Sequence, residues 1–204
     1  MSSLKAEFVV SSGKPDTFPS DQLPEIAFLG RSNVGKSSLI NALLGLKGVG
    51  RKGLAFTSST PGRTQSINFY RIAERLAGYA GSFYFVDLPG YGYARVPLER
   101  LREWKQLIET YLSSRETLRL CLMVLDARRG WMDPDRELRQ WLEHQGRPYL
   151  VIVTKTDKLK NQSEQQRGLA AIRQETAEPL LFSAFTGRGV REIWQAISTT
   201  IHPR

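Results

Sequence analysis

Apolar residues along the chain fall into two textures. Some form short continuous runs, as a strand buried on both faces requires; others recur every three or four positions, as on one side of a helix. The first continuous run is Ile26-Ala27-Phe28-Leu29, and Leu39, Ile40, Leu43 and Leu44 follow at helical spacing. The pattern predicts a strand over 26–29 and a helix over 37–46. Residues 67–72 and 82–87 read as two further strands, an antiparallel hairpin with a turn at 79–82. A helix opens at Pro97 or Leu98 and runs to about Ser113, with Leu101, Trp104, Leu107, Ile108 and Tyr111 on one stripe. Next come a buried strand at 119–127, a helix at 134–145 with Asp133 as N-cap and Pro134 at its first position, and a strand at 149–153. A polar amphipathic helix at 163–175, a strand at 180–182 and a helix at 190–201 complete the series. Apolar strands alternating with helices predict an α/β fold: a doubly wound, mainly parallel six-stranded sheet with helices on both faces. Residues 1–24 read as an N-terminal extension in which Phe8-Val9-Val10 is a candidate added edge strand. Residues 25–204 read as one domain.

The junction between the first strand and helix carries the sharpest chemistry. Gly30-Arg31-Ser32-Asn33-Val34-Gly35-Lys36-Ser37 fits G-x-x-x-x-G-K-S/T, placed between strand and helix as a phosphate loop requires. Glycines at 30 and 35 let backbone approach a polyphosphate, and loop N–H groups with the helix N-terminus offer donors to it. Lys36 is placed to reach the β- and γ-phosphates, and Ser37, followed by Ser38, to put its hydroxyl on Mg²⁺. Other motifs fall on loops after later strands. Asp87-Leu88-Pro89-Gly90 fits D-x-x-G; Asp87 is expected to hold Mg²⁺ through a water, and Gly90 to give its N–H to the γ-phosphate. Thr154-Lys155-Thr156-Asp157 follows the 149–153 strand. Its Asp157 carboxylate can accept both N–H donors of the guanine edge, a pair that adenine lacks, so the motif predicts GTP over ATP. Thr154 stands where asparagine is more usual. Ser183-Ala184-Phe185 is placed to turn a backbone N–H toward the base oxygen. Between the first helix and second strand, residues 47–66 show no periodicity, and a loop of roughly twenty residues in a compact domain is usually functional. Thr60 and Thr64 both qualify there as the threonine that joins Mg²⁺ and senses the γ-phosphate, with Thr64 preferred.

Composition changes the picture in two respects. Twenty-nine lysines and arginines against 20 acids give a net charge of +9, which favours a polyanionic partner, nucleic acid before membrane. The single cysteine, Cys121, lies in an apolar run, which leaves no disulfide framework and no cysteine metal site. No apolar run reaches the roughly 20 residues of a membrane helix, and the N-terminus lacks a secretory pattern, so a cytoplasmic protein is expected. His144 and His202 have no metal-ligand spacing. Trp104, Trp141 and Trp194 read as packing residues; Trp131, beside Arg128 and Arg129, is the one open to a surface role.

The runs GRSNVGKS, TPGRTQSINFY, DLPGYGYA, TKTD and FSAFTG, in this order, resemble the EngB/YsxC/YihA family, bacterial GTPases of the translation-factor-related class. The resemblance spans nearly the whole chain. It implies a GTP-hydrolysing switch in assembly of the large ribosomal subunit, needed for normal septation, with GTP/GDP and a precursor particle of rRNA and ribosomal proteins as partners and the chain acting as a monomer. It also implies that Gly30, Arg31, Ser32, Asn33, Val34, Gly35, Lys36, Ser37 and Ser38 bind phosphates, and that Gly62, Arg63, Thr64, Gln65 and Ser66 line the nucleotide. Asp87, Leu88, Pro89 and Gly90 sense the γ-phosphate. Thr154, Lys155, Thr156 and Asp157 read guanine, backed by Phe182, Ser183 and Ala184. Lys36, Thr64 and Gly90 are the candidate catalytic residues, and Ser37 and Thr64 the Mg²⁺ ligands. Tyr91 follows D-x-x-G where many GTPases place a water-orienting glutamine, so hydrolysis is expected to be slow. Asn33 is a candidate K⁺ ligand, K⁺ supplying positive charge where an arginine finger would. Arg63 and Arg95 could act as fingers, but read better as RNA contacts, with Arg51, Lys52, Arg100, Arg102, Lys105, Arg115, Arg119, Arg128, Arg129, Arg188 and Arg191 as further basic positions. The competing reading is a guanine-nucleotide-dependent binding protein at the division site that makes no direct ribosome contact.

Overall fold

The computed structural model describes residues 4–46, 54–55, 66–76, 79–91, 98–159, 162–176 and 178–201. Seven strands form one sheet: β1 (Lys5–Ser12), β2 (Glu25–Leu29), β3 (Ile67–Leu76), β4 (Tyr79–Asp87), β5 (Leu118–Asp126), β6 (Tyr149–Thr154) and β7 (Leu180–Leu181). Their order across the sheet is β1-β3-β4-β2-β5-β6-β7. β1 with β3 and β3 with β4 are antiparallel, and the remaining pairs are parallel. The expected six strands are therefore joined by the extension's strand. Among the described residues five α-helices accompany the sheet: α1 (Lys36–Leu43), α2 (Leu98–Ser114), α3 (Asp133–His144), α4 (Gln162–Glu175) and α5 (Val190–Ile201).

β2 shows why this sequence makes this sheet. All five of its residues are buried. Successive side chains on a strand point to opposite faces. Ile26 and Phe28 enter one core with Leu39, Ile40 and Leu43 of α1 and Ile193 and Ile197 of α5. Ala27 and Leu29 enter the other, with Leu107 and Tyr111 of α2, Leu142 of α3 and Ile172 of α4. β5 splits the same way: Leu120, Leu122 and Val124 to the first core, Cys121, Met123 and Leu125 to the second. Burial pushes the Cys121 thiol up to about 12, so it sits in its strand as a neutral apolar group.

Two local expectations change. Residues 79–82 are not a turn. They extend β4, pairing as Leu76↔Tyr79 through Ala73↔Ser82 with a β3 that runs on to Leu76, while residues 77 and 78 lie outside the described residues. Asp133 is the first residue of α3 rather than its cap; Met132 is the N-cap, and its N–H is taken by the Asp135 carboxylate at 3.0 Å.

The N-terminal end of β2 is fixed by a buried carboxylate. Glu25 accepts from Tyr111 Oη at 2.7 Å, Thr117 Oγ1 at 2.8 Å and Arg115 Nε at 3.0 Å. A buried charge is tolerable only when its lone pairs are met in this way. Arg115 also donates to the Pro19 carbonyl at 3.1 Å, tying the extension to the base of the sheet. The opposite end of β2 is where the chain turns into α1.

Candidate functional site

Four segments meet beyond the carboxyl ends of the parallel strands: 30–36 after β2, 87–91 from the end of β4, 154–158 after β6 and 182–189 after β7. That is where ligands bind in open α/β sheets.

The 30–36 turn is shaped by close contact with the sheet. Gly30 has φ 153°, and a Cβ there would stand 2.6 Å from the Val124 carbonyl oxygen of β5, so a side chain has no room. Lys36 opens α1 and folds back into the turn. Its ammonium, nearly fully buried, donates to the Gly30 carbonyl at 3.0 Å and the Arg31 carbonyl at 3.4 Å. Burial lowers its pKa, opposed by the nearby Asp87 carboxylate. Asp87 ends β4 beside Phe28 of β2. Burial raises its pKa to about 6, against the pull of Lys36 and a hydrogen bond from Ser37. Its Oδ1 is buried and has no hydrogen-bond partner among the described residues. An orphaned carboxylate oxygen beside a hydroxyl is a hard, all-oxygen donor set, of the kind Mg²⁺ takes while keeping several waters.

The D-x-x-G segment lies directly against the phosphate loop. A Cβ on Gly90 would lie 2.7 Å from Ser32 N and 3.1 Å from the Lys36 ammonium. Ser32 N–H donates to the Tyr91 carbonyl at 3.2 Å, and Arg31 and Tyr91 form a parallel bridge. Arg31 is not a phosphate-facing cation here. Its Nε pairs with Asp135 of α3 at 3.1 Å, both side chains being buried (7% and 0% exposed), and its Nη2 donates to the Gly130 carbonyl at 3.4 Å. Tyr91 Oη donates to the same carboxylate at 2.8 Å. Burial and the Asp135 charge push this phenol well above its usual pKa, so it stays neutral and committed to α3.

The 154–158 segment is bonded to the phosphate loop and to the last loop. Thr154 Oγ1 contacts the Val34 carbonyl and, at 3.0 Å, the Leu125 carbonyl. Lys155 Nζ donates to the Asn33 carbonyl. Thr156 donates through N and Oγ1 to the Phe182 carbonyl at 3.4 and 3.2 Å. Ser183 Oγ donates to Asp157 Oδ1 at 2.7 Å and accepts from Thr186 N at 3.2 Å. The Phe182 ring is in the core, so its backbone is what it offers to a site; Ala184 is exposed, and Phe185 is 88% exposed.

Thr60, Gly62, Arg63, Thr64, Gln65 and Arg95 lie outside the described residues, and Ser66 begins the next described run. Trp131 is a packing residue: it is buried, donates to the Ile172 carbonyl at 3.4 Å, and lies under the Arg139 guanidinium at 4.8 Å. Arg115 and Arg128 are engaged in ion pairs with Glu25 and Asp126, the first largely buried and the second still 48% exposed. Sequence reasoning did not single out Asp126, Asp135 or Asn41, whose amide holds Ala55 through two hydrogen bonds, 2.8 and 3.0 Å. Asp135 left one signal, an acid in the first turn of a helix. The other two left none.

This turn, helix and loop geometry on a mainly parallel sheet defines a P-loop GTPase domain. Residues 25–155 match a family model described as "50S ribosome-binding GTPase". A probable GTP-binding protein EngB of Solibacter usitatus (strain Ellin6076) is 70% identical over 204 residues, covering 100% of both chains. That of Syntrophus aciditrophicus (strain SB) is 48% identical, over 97% of this chain and 95% of its own. Among solved structures, a probable GTP-binding protein EngB superposes with a TM-score of 0.60 at 27% identity, over 88% of this chain and 100% of the other. Era with MgGDPNP and a 16S ribosomal RNA segment gives 0.66 at 23% identity, over 87% of this chain and 56% of that one, a likeness of fold. The chain belongs to the EngB family of GTP-binding proteins and is a GTPase with GTP as substrate.

Removing one partner of a buried ion pair strands the other. Asp135→Ala is expected to lower unfolding stability in urea by about 3–5 kcal/mol, and Asp135→Asn by less because an acceptor for Tyr91 remains. A loss under about 1 kcal/mol would show that Arg31 finds another partner.

Proposed function

We propose that this chain is a GTP-dependent switch in assembly of the large ribosomal subunit, hydrolysing GTP slowly by itself and acting as a cytoplasmic monomer on which normal septation depends. The observation that carries the switch is the contact of Gly90 and Tyr91 with the phosphate loop: a γ-phosphate bound at Lys36 meets the D-x-x-G backbone at once. The particle as partner is supported by the family description "50S ribosome-binding GTPase" and by the charge of +9. Arg102, Lys105, Arg119, Arg128, Arg129, Arg188 and Arg191 are the described cations from the expected basic set that are exposed, Arg128 while paired with Asp126.

The roles follow the chemistry. Loop N–H groups of 30–38 and the Lys36 ammonium hold the phosphates. Ser37 and Thr64 would hold Mg²⁺, with Asp87 contributing through a water; its Oδ1 is buried without a partner among the described residues. Mg²⁺, when bound, neutralises charge developing on the β- and γ-phosphate oxygens. Gly62–Ser66 line the nucleotide. Asp157, aimed by Ser183, accepts the two guanine donors, while Lys155 braces the base against the loop and Phe182–Ala184 back it. Slow hydrolysis follows from Tyr91: its hydroxyl proton is spent on Asp135, so it cannot donate and accept together as a glutamine amide does. Asn33, which is exposed and at φ 59°, helps bind K⁺.

Three measurements test this reading. In titration calorimetry the wild type is expected to bind GDP and GTP at micromolar strength, and Asp157→Asn to shift preference toward xanthine nucleotides; equal binding of ATP overturns guanine specificity. Replacing Na⁺ by K⁺ is expected to raise kcat; an unchanged kcat removes the role given to Asn33. Co-sedimentation with precursor large subunits is expected to favour the GTP form and to weaken with salt. Equal binding of GTP and GDP forms removes the switch, and no binding leaves the division-site reading.

A further inference from the structure

Asp126, the last residue of β5, belongs to none of the nucleotide motifs. It pairs in register with Thr154, which places its carboxylate beside Lys155. We infer that Asp126 is a positioning residue of the nucleotide site, holding the Lys155 ammonium against the Asn33 carbonyl so that the base-reading segment and the phosphate loop are joined before nucleotide binds. The inference rests on the guanine reading above.

The geometry is specific. Asp126 is 3% exposed, and its Oδ2 pairs with Lys155 Nζ at 2.9 Å. Arg128 closes the other side through its backbone N and Nε to Oδ1, both at 3.0 Å, and through Nη2 to Oδ2 at 2.7 Å. With these donors in place the carboxylate has little freedom to rotate, so Lys155 has one favoured position. Burial acts to raise the Asp126 pKa, but the hydrogen bonds from Arg128 and Lys155 outweigh it and hold the group well below the usual carboxylate range. It is therefore charged wherever the protein is folded near neutral pH.

Backbone strain marks the same link. Among the described residues, two other than glycine take positive φ: Asn33 at 59° and Lys155 at 58°. They are the acceptor and the donor of the one hydrogen bond that Asp126 organises. A left-handed conformation is uncommon outside glycine, less so for asparagine, and for a residue such as lysine it persists only where the surroundings over-determine it. Here a strained loop residue and a strained base-reading residue are locked to each other, and Asp126 fixes the lysine that locks them.

A double-mutant cycle tests this, read by GDP affinity and by the release rate of a fluorescent GDP analogue from the full chain. Asp126→Ala is expected to weaken GDP by at least about tenfold, with faster release, and Asp126→Asn by less because an acceptor oxygen remains. The double variant with Lys155→Ala is expected to bind within about twofold of Lys155→Ala alone, because Asp126 acts through that side chain. Additive losses, or Asp126→Ala and Asp126→Asn both binding GDP as tightly as wild type, overturn the inference and leave guanine reading by Asp157 intact. If the wild type itself fails to bind GDP, the guanine reading falls and takes the inference with it. Should Asp126→Ala not fold, Asp126→Asn carries the same cycle.

Discussion

The site is built around a positive charge that the fold has taken out of water. Among the described residues, the Lys36 ammonium has the Gly30 and Arg31 carbonyls and the field of Asp87 to replace its hydration. Such a group is tolerable only if those acceptors are held still. The Gly30 turn pressed on Val124, the end of β4 seated beside β2, and the helix that starts at Lys36 each hold one of them. On the proposed reading, a phosphate arriving there would meet a cation that is already desolvated and aimed, so part of the unfavourable free energy of binding charge in a dry cleft would have been met during folding.

How much of this is legible in the sequence depends on range. The alternation along β2 and β5 and the helical stripes of α1 and α5 are local, and apolar periodicity reports them directly. The phosphate loop and D-x-x-G are also local, because backbone shape and residue type are specified together within a few positions. What escapes is polar pairing between distant segments. Asp135 meets Arg31, Glu25 meets Arg115, and Asp126 meets Lys155, each across a long stretch of chain. A charged residue in a turn reads the same whether it faces water or a buried partner. The misplaced turn at 79–82 has a different origin: β4 opens with Tyr79-Ala80-Gly81, which lacks a strong strand pattern, and cross-strand pairing with β3 overrides that weak local preference.

These pairs also alter what the composition means. Each joins a base to an acid inside the molecule and so leaves the net excess of +9 untouched. They remove acids from the surface as well as bases. The remaining exterior is poorer in carboxylates than the count of 20 suggests.

The central place of β2 also sets an order of events during synthesis. Its partners are both made later: Ile26 pairs with Phe85 on one side and with Leu120 on the other. A chain emerging from its N-terminus presents the phosphate-loop sequence early, yet the carbonyl against which Gly30 turns belongs to Val124. Until β5 emerges, β2 remains an apolar segment without a sheet, and the loop after it has no wall to lean on. The turn carrying Asp157 comes later still. On the proposed reading of these loops, the nucleotide site is complete only once β5 and the turn carrying Asp157 have been made.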